Sequence, residues 1–288
     1  MYQILIQGIA TGMIYALVGI GFVLVYRTAG LFNFAHTESY TIGALVTFTV
    51  TTTLGQPYWV GIIVSGVFVL FVGVITELVG FRRLILKNTP PANIIVASIA
   101  LGIVLRAICL IVWGPDGQFV KGVQTKIKLD NVVINGQNIL IALTVIGIII
   151  LLAVLLQKTR LGVALRAVAD NRIIASVMGI DLRITLPLTF GLAGLLGGVA
   201  GSLVAPLIFP QYRMGQAILI KAFSASVIGG LSSIPGVIAG GLLIGIFEGF
   251  VGSYITTAYK DVFAFAILII VLMVRPTGIL GKAQIEKV

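Results

Sequence analysis

The chain has 288 residues, of which 59% are hydrophobic and 10% are charged, and its mean hydropathy is +1.16. This composition excludes an ordinary soluble domain, because long apolar runs of about 20 residues are what the hydrocarbon core of a bilayer requires. The net charge of +10 is explained by loops that contact anionic lipid, so we expect the lipid bilayer and no nucleic acid as a partner. We therefore predict an all-α, polytopic helical membrane protein.

Apolar runs with few charges predict the membrane spans. In chain order they are 4–26, 37–54, 58–81, 92–113, 138–157, 185–209, 218–233, 235–255 and 261–274. The last three runs are short for a bilayer, so an arrangement with one re-entrant segment is the alternative to nine full spans. We expect about 8 to 9 transmembrane or re-entrant helices. The first run is too long for a signal peptide and should remain in the mature protein.

The distribution of Lys and Arg predicts the orientation. Alternating spans place twelve basic residues on one side and five on the other, with two more inside spans. The larger set is Arg27, Arg82, Arg83, Lys87, Lys158, Arg160, Arg166, Arg172, Arg183, Arg275, Lys282 and Lys287. By the positive-inside rule this side is cytoplasmic, which puts the N-terminus outside and the C-terminus in the cytoplasm.

The longest polar loop on the opposite side runs from Gly114 to Gln137. Three β-branched residues, 132–134, lie between the turn-forming pairs Asp130-Asn131 and Asn135-Gly136. This pattern predicts a small hairpin or an edge-on turn. The loop is either a docking surface for an external partner or a solvated connector, and the sequence leaves both open.

Residues 158–184 form a basic, amphipathic stretch between two apolar spans. The helical pattern breaks at Asp170-Asn171, and four apolar residues then share one face: Ile173, Ile174, Val177 and Met178. Asp170 is a candidate N-cap and Gly179 a candidate C′ residue, since glycine tolerates positive φ. The prediction is a short capped helix outside the bilayer. Its apolar face either enters a groove on a partner or rests on lipid headgroups.

The glycine pattern indicates both packing and a break. Most of the thirty-five glycines fit close approach of helices in lipid. The cluster Gly229-Gly230, Ser232-Ser233, Pro235-Gly236 and Gly240-Gly241 would interrupt a helix instead. Broken backbone at membrane depth is tolerated where it is buried or lines a polar cavity, so this cluster points to a translocation path.

Ionisable residues within the spans are functional candidates. They are Glu77, Arg106, Lys221 and Glu248, with His36 and Glu38 at the start of the second span. Structural explanations exist for most of them: Arg106 can extend outward to the surface, Lys221 is near a span end, and Glu77 is near two arginines. Glu248 has no such explanation. His36 is expected to be hydrogen-bonded in the interior, since no second histidine completes a metal site.

Catalytic motifs are missing from the sequence. The fragment 278–282 has the wrong spacing for a phosphate-binding loop, and no Ser or Thr follows it. We expect neither a catalytic residue nor a metal site, and no cofactor bound by this chain.

Four stretches together resemble one family. They are GIATGMIYALVGIGFVLVYRTAGLFNFAHTESYTIGA (8–44), LRAVADNRIIASVMGIDL (165–182), IGGLSSIPGVIAGGLLIGIFEG (228–249) and VRPTGILGK (274–282). In order and spacing they resemble the branched-chain amino acid permeases of bacterial ABC importers, specifically the shorter of the two paired permeases. The resemblance covers nearly the whole chain and implies a single transmembrane permease domain over 1–288, with a cytoplasmic coupling segment at 158–184.

The resemblance also implies partners and a location in the bacterial inner membrane, as a multi-pass protein. The expected partners are a second related permease subunit, two cytoplasmic ATPase subunits that hold ATP and Mg, and a periplasmic substrate-binding protein. Coupling to the ATPases would fall on Arg166, Asp170, Asn171, Ile174, Ala175, Met178 and Gly179. The inner part of the translocation path would be lined by Asn33, Phe34, His36, Gly229, Gly230 and Ser232.

The substrate is the least determined feature. The resemblance favours branched-chain or other hydrophobic and neutral amino acids, but relatives also move urea or short amides. One methylene changes binding by only about 1–3 kcal/mol, so sequence resemblance does not separate these substrates. An ion-coupled secondary transporter is the alternative from a different class, with Glu248 as its candidate carboxylate.

Overall fold

The computed structural model describes residues 1–87, 89–129, 132–255, 260–275 and 277–281. Its helices are α1 (Tyr2–Ala29), α2 (His36–Phe48), α3 (Tyr58–Ile75), α4 (Arg82–Leu86), α5 (Pro91–Trp113), α6 (Gly136–Lys158), α7 (Arg160–Asp170), α8 (Arg172–Val177), α9 (Leu182–Val204), α10 (Met214–Gly229), α11 (Ile234–Tyr254) and α12 (Lys260–Val274). A π-helical turn at 49–53 extends α2, and another at 76–81 joins α3 to α4. Two short strands, β1 (Lys126–Leu129) and β2 (Val132–Asn135), are the exception to helix.

The prediction of a polytopic helical membrane protein is confirmed. Within the described residues, six helical segments are long and apolar enough to cross a bilayer: Tyr2–Ala29, Tyr58–Leu86, Pro91–Trp113, Gly136–Lys158, Leu182–Val204 and Ile234–Tyr254. α2, α10 and α12 are shorter. The predicted span 218–233 is displaced: α10 begins at Met214 and ends at Gly229, because Gly230 adopts a φ of 99° and stops the helix.

α1 and α9 form the centre of the bundle. In their most apolar windows 83% and 78% of the residues are buried, against 28% for α3–α4, 22% for α5 and 17% for α6. The outer helices therefore present their apolar faces to lipid. Glycines let the central helices approach closely, as expected: a Cβ on Gly12 of α1 would lie 2.7 Å from the Gly241 carbonyl oxygen of α11.

The loops between the helices lie at two opposite ends of this bundle, which we call the hairpin end and the basic end. The hairpin end carries β1 and β2, which pair antiparallel with Lys126 opposite Asn135 and Leu129 opposite Val132. The predicted hairpin is confirmed, although its turn, Asp130-Asn131, lies outside the described residues. The basic end carries Arg27, the loop before α5, and α7 and α8.

The segment 158–184 forms two helices that meet at Asn171. Asn171 has an extended backbone (φ −160°), and its Oδ1 accepts hydrogen bonds from the amides of Ile173 and Ile174, at 2.9 and 3.0 Å. The predicted cap at Asp170 is wrong, because Asp170 is still helical and ends α7. The predicted C′ role of Gly179 is confirmed: its φ is 88°, and the 179 and 180 amides bond back to the carbonyls of 176 and 175.

Candidate functional site

α8 presents an apolar face at the basic end. Three of its residues and the residue that follows it are largely exposed: Ile173 (78%), Ile174 (57%), Val177 (84%) and Met178 (77%). Ala175 is 2% exposed and packs inward, so of the predicted coupling residues its side chain is the one turned away from this surface. Asn171 and Gly179 hold the two ends of α8 and are themselves exposed.

A cavity of about 970 Å³ opens at the basic end, and we call it the inner cavity after the predicted orientation. The last turns of α1 and α6, the helix α7 and the turn between α10 and α11 form its walls. Arg166 and Asp170, predicted for coupling, and Ser232, predicted for the path, border this cavity together with Arg27. The structure thus brings members of both predicted sets to one place.

The glycine break between α10 and α11 is a packed corner. Gly229 and Gly230 are buried, and a Cβ on Gly230 would lie 2.5 Å from the amide nitrogen of Gly281. The 277–281 segment covers the corner through two backbone hydrogen bonds, from Ile279 to the carbonyl of 228 (2.8 Å) and from Leu280 to that of 229 (3.1 Å). Two sequence motifs far apart in the chain therefore form one unit, of which Pro276 and Lys282 lie outside the described residues.

The Asn33–His36 stretch is also packed within the protein. Asn33 is 4% exposed, and the Phe34 ring contacts the Phe223 ring at 5.7 Å. His36 Nε2 is hydrogen-bonded to the Val18 carbonyl oxygen at 3.1 Å, so the expected interior histidine is confirmed. Asn33, Phe34 and His36 are not among the residues that line the inner cavity. Their part in the translocation path stays a prediction.

An outer cavity of about 420 Å³ lies at the hairpin end, between α1, α6, α9 and α10. Its walls are mainly aliphatic, for example Ile14, Ile141 and Ile218. The polar groups in the walls are Gln3, Gln7, Thr11, Tyr15, Tyr40, Asn135, Asn138 and Lys221. Lys221 carries the charge of this cavity.

Lys221 belongs to an ion-pair network between α10, α11 and α12. Its Nζ lies 2.8 Å from Oε1 of Glu248 and 3.2 Å from Oδ1 of Asp261. The Tyr15 hydroxyl donates to Oε2 of Glu248 at 2.6 Å. The expectation that Lys221 sits at a span end is wrong, because α10 begins seven residues before it. Glu248, which had no explanation in the sequence, is paired and hydrogen-bonded.

A second ion pair joins α2 to α5. Arg106 donates from Nε to Oε1 of Glu38 at 3.2 Å, and Thr41 donates to Oε2 at 3.1 Å. The expected outward extension of Arg106 is wrong, since a buried carboxylate attracts the guanidinium inward. Glu77 does pair with Arg82, at 3.3 Å. Opposite charges in different spans were a sign that such pairs exist. Sequence reasoning found the neighbourhood of Glu77 but missed the pairs Lys221–Glu248 and Arg106–Glu38, and it missed Tyr15.

A bundle of membrane helices with a cavity at each end defines the class: a helical membrane transport protein. The family model described as "Branched-chain amino acid transport system / permease component" matches residues 4–272. The chain belongs to this family.

Individual relatives agree with this assignment. The chain is 33% identical over 308 residues to the high-affinity branched-chain amino acid transport system permease protein LivH of Escherichia coli K12, covering 99% of this chain and 97% of LivH. It is 34% identical over 312 residues to the corresponding protein BraD of Pseudomonas aeruginosa, with the same coverage. Among solved structures it is similar in fold to a chain of PsaBC from Streptococcus pneumoniae in complex with Fab, with a TM-score of 0.50, 15% identity and coverage of 96% and 92%.

Proposed function

We propose that this chain is the transmembrane permease subunit of an ATP-driven importer for branched-chain and other hydrophobic, neutral amino acids. Substrate would arrive from a periplasmic binding protein and cross by alternating access. A second related permease and two cytoplasmic ATPases that bind ATP and Mg would complete the transporter in the bacterial inner membrane. The observation that carries the proposal is the match to the permease family over 269 of the 288 residues, from residue 4 to residue 272.

The exposed face of α8 supports the ATPase partners. α8 is a short helix outside the long apolar spans, and its apolar side chains are 57–84% exposed. A protein groove that covers them would remove this apolar surface from water. The concentration of arginines at this end supports a cytoplasmic location by the positive-inside rule. We assign coupling roles to Asn171, Ile174, Met178 and Gly179 on or next to α8, and to Arg166 and Asp170 on the preceding α7.

The two cavities support alternating access. The outer one, of about 420 Å³, is within the common size range of small-molecule sites, and its walls suit a zwitterion with an aliphatic side chain. Along α1 and α6, buried side chains separate it from the inner cavity, among them Val18, Phe22 and Val145. A cavity on either side of a packed layer is what an occluded transport path requires.

The first test replaces Val177 on α8. Val177→Asp puts a carboxylate where the apolar face would enter a groove, and burying an unpaired charge costs several kcal/mol. We expect the variant to lose its ATPases on co-purification and to lose substrate-stimulated ATP hydrolysis, by tenfold or more for a loss of about 1.4 kcal/mol or greater.

The matched control is Val123→Asp at the hairpin end, where the same substitution falls on a residue that is 37% exposed. It should leave co-purification of the ATPases unchanged. Full retention of the ATPases by Val177→Asp would show that α8 rests on lipid and does not dock.

The second test concerns Glu248. In Glu248→Gln the amide can still accept from Lys221 and donate to Tyr15, and Lys221 keeps Asp261 at 3.2 Å. Uptake in vesicles at saturating binding protein should therefore stay within about threefold of wild type, less than about 0.7 kcal/mol. Abolished uptake in a variant that assembles and hydrolyses ATP normally would make Glu248 a coupling carboxylate and would favour ion-coupled transport.

A further inference from the structure

A pocket of about 750 Å³ at the basic end gathers arginines from four separate helices. We call it the arginine pocket and define it by Arg27 of α1, Arg82 of α4, Arg172 of α8 and Arg183 of α9. Two carboxylates, Glu77 and Asp170, also border it. The positive-inside rule puts these arginines on one side of the membrane, but it gives no reason for them to converge on one pocket.

Most of this positive charge is not neutralised within the protein. Glu77 pairs with Arg82 at 3.3 Å, and Arg82 also donates to the carbonyl of 183 at 2.6 Å. Among the described residues, no carboxylate lies within 4.0 Å of the guanidinium of Arg27, Arg172 or Arg183. Charges enclosed by protein are normally paired, so the half-buried Arg27 and Arg172 favour a bound anion.

Arg172 is the arginine of this pocket for which burial of the guanidinium is clearest. It is half-buried, with its guanidinium against Gly30, where even a Cβ would collide with it. Burial lowers the pKa of Arg172, because desolvation disfavours the charged form. A bound anion would offset this desolvation.

The position of the pocket identifies the kind of anion. Arg27 is in the last turn of α1, Arg183 in the first turn of α9, and Arg82 follows the π-helical turn of the third span. The ends of apolar spans lie at the depth of lipid headgroups. The pocket is also bordered by the exposed aliphatic side chain of Leu86 (68%), which can contact an acyl chain.

We propose that the arginine pocket binds the phosphate headgroup of an anionic phospholipid. Guanidinium groups bind phosphate oxygens through paired hydrogen bonds, so three unpaired arginines can surround one headgroup. A headgroup held between Arg172 and Arg27 fixes the start of α8 against the end of α1. The lipid composition of the membrane thereby sets how firmly α8 is held.

The test measures lipid retained by the purified full-length chain in detergent micelles, with phosphatidylglycerol and phosphatidylcholine as probes in native mass spectrometry. We expect phosphatidylglycerol to be retained about tenfold over phosphatidylcholine. Arg172→Gln and Arg183→Gln should each reduce that retention about fivefold, the effect of one basic residue near an anionic surface. The matched control is Arg83→Gln, which removes an exposed arginine beside Arg82 but outside the pocket, and it should change nothing.

Three results would overturn the proposal. Equal retention of the two lipids would leave the arginines to a carboxylate of a protein partner. Equal losses in Arg83→Gln and Arg183→Gln would indicate general surface charge. Displacement of phosphatidylglycerol by millimolar inorganic phosphate would make free phosphate the ligand. Arg183 is exposed, so Arg183→Gln keeps the test decisive even where Arg172→Gln reduces folding.

Discussion

Gly12→Leu is expected to prevent the assembly of the bundle, and Gly12→Ala to weaken it. A Cβ at Gly12 would lie 2.7 Å from the Gly241 carbonyl oxygen and 2.8 Å from the Cα of Leu242, so it meets backbone that no side-chain rotation can clear. Gly8 and Gly12 on α1 face Gly241 and Gly245 on α11, two pairs at the four-residue spacing that lets membrane helices touch. Forcing one methyl group into such packing costs about 1–3 kcal/mol, and an isobutyl group costs more.

Gly147 on α6 provides the matched control. It is exposed, and a Cβ there would meet no atom within 4 Å. Gly→Ala stabilises a helix by roughly 0.5–1 kcal/mol through backbone entropy, and this gain applies at both positions, so the difference between them isolates the helix contact. The free energy of unfolding of each variant is measured in mixed micelles titrated with dodecyl sulfate. Equal stability of the Gly12 and Gly147 variants would show that α1 and α11 are not held by this contact.

The helices could be predicted from the sequence because lipid imposes a simple requirement on composition. All nine predicted spans correspond to helices, with bounds that differ by a few residues. The predicted span at α10 ends four residues too late, because hydropathy continues past Gly229 while the helix does not: Gly230 leaves the helix to pack on the 277–281 segment. The local sequence pattern does not predict a contact with a segment about fifty residues away.

The start of the short helix α8 could be predicted from the sequence only to within one residue. Asp170 and Asn171 are adjacent and both are good capping residues, so residue preference alone cannot choose between them. The choice depends on where α7 ends, and the structure continues α7 through Asp170. The apolar face of α8, by contrast, follows from spacing alone, and Ile173, Val177 and Met178 are exposed together as predicted.

The candidate site was predicted only in part, because side chains in a bundle are brought together by helix arrangement. Arg166 and Ser232 were assigned to different roles from their positions in the chain, yet they border one cavity. Gly229 and Gly230 were expected to line a path, and the C-terminal segment buries them. The partners of Lys221 and Arg106 depend on which helices are neighbours, which periodicity does not specify.

Arg106→Gln is expected to destabilise the protein strongly, because it removes the cation that faces Glu38. Glu38 is 1% exposed, and its remaining partner would be the Thr41 hydroxyl at 3.1 Å. Breaking a buried ion pair by deleting one member costs about 3–5 kcal/mol, since the other charge is left without compensation. α5 is the helix most affected: its most apolar window is only 22% buried, so polar contacts contribute much of its attachment.

A double-mutant cycle separates the pair from its members. Glu38→Gln should cost less than Arg106→Gln, because the Arg106 side chain is 22% exposed and can turn outward once its partner is neutral. The double variant Glu38→Gln/Arg106→Gln should recover most of the loss, since two amides can hydrogen-bond to each other and leave no buried charge. Lys87→Gln, which removes an exposed cation at the end of α4, should change stability by less than about 0.5 kcal/mol. If the double variant is no more stable than Arg106→Gln alone, the guanidinium stabilises α5 through packing of its aliphatic part, and its charge contributes little.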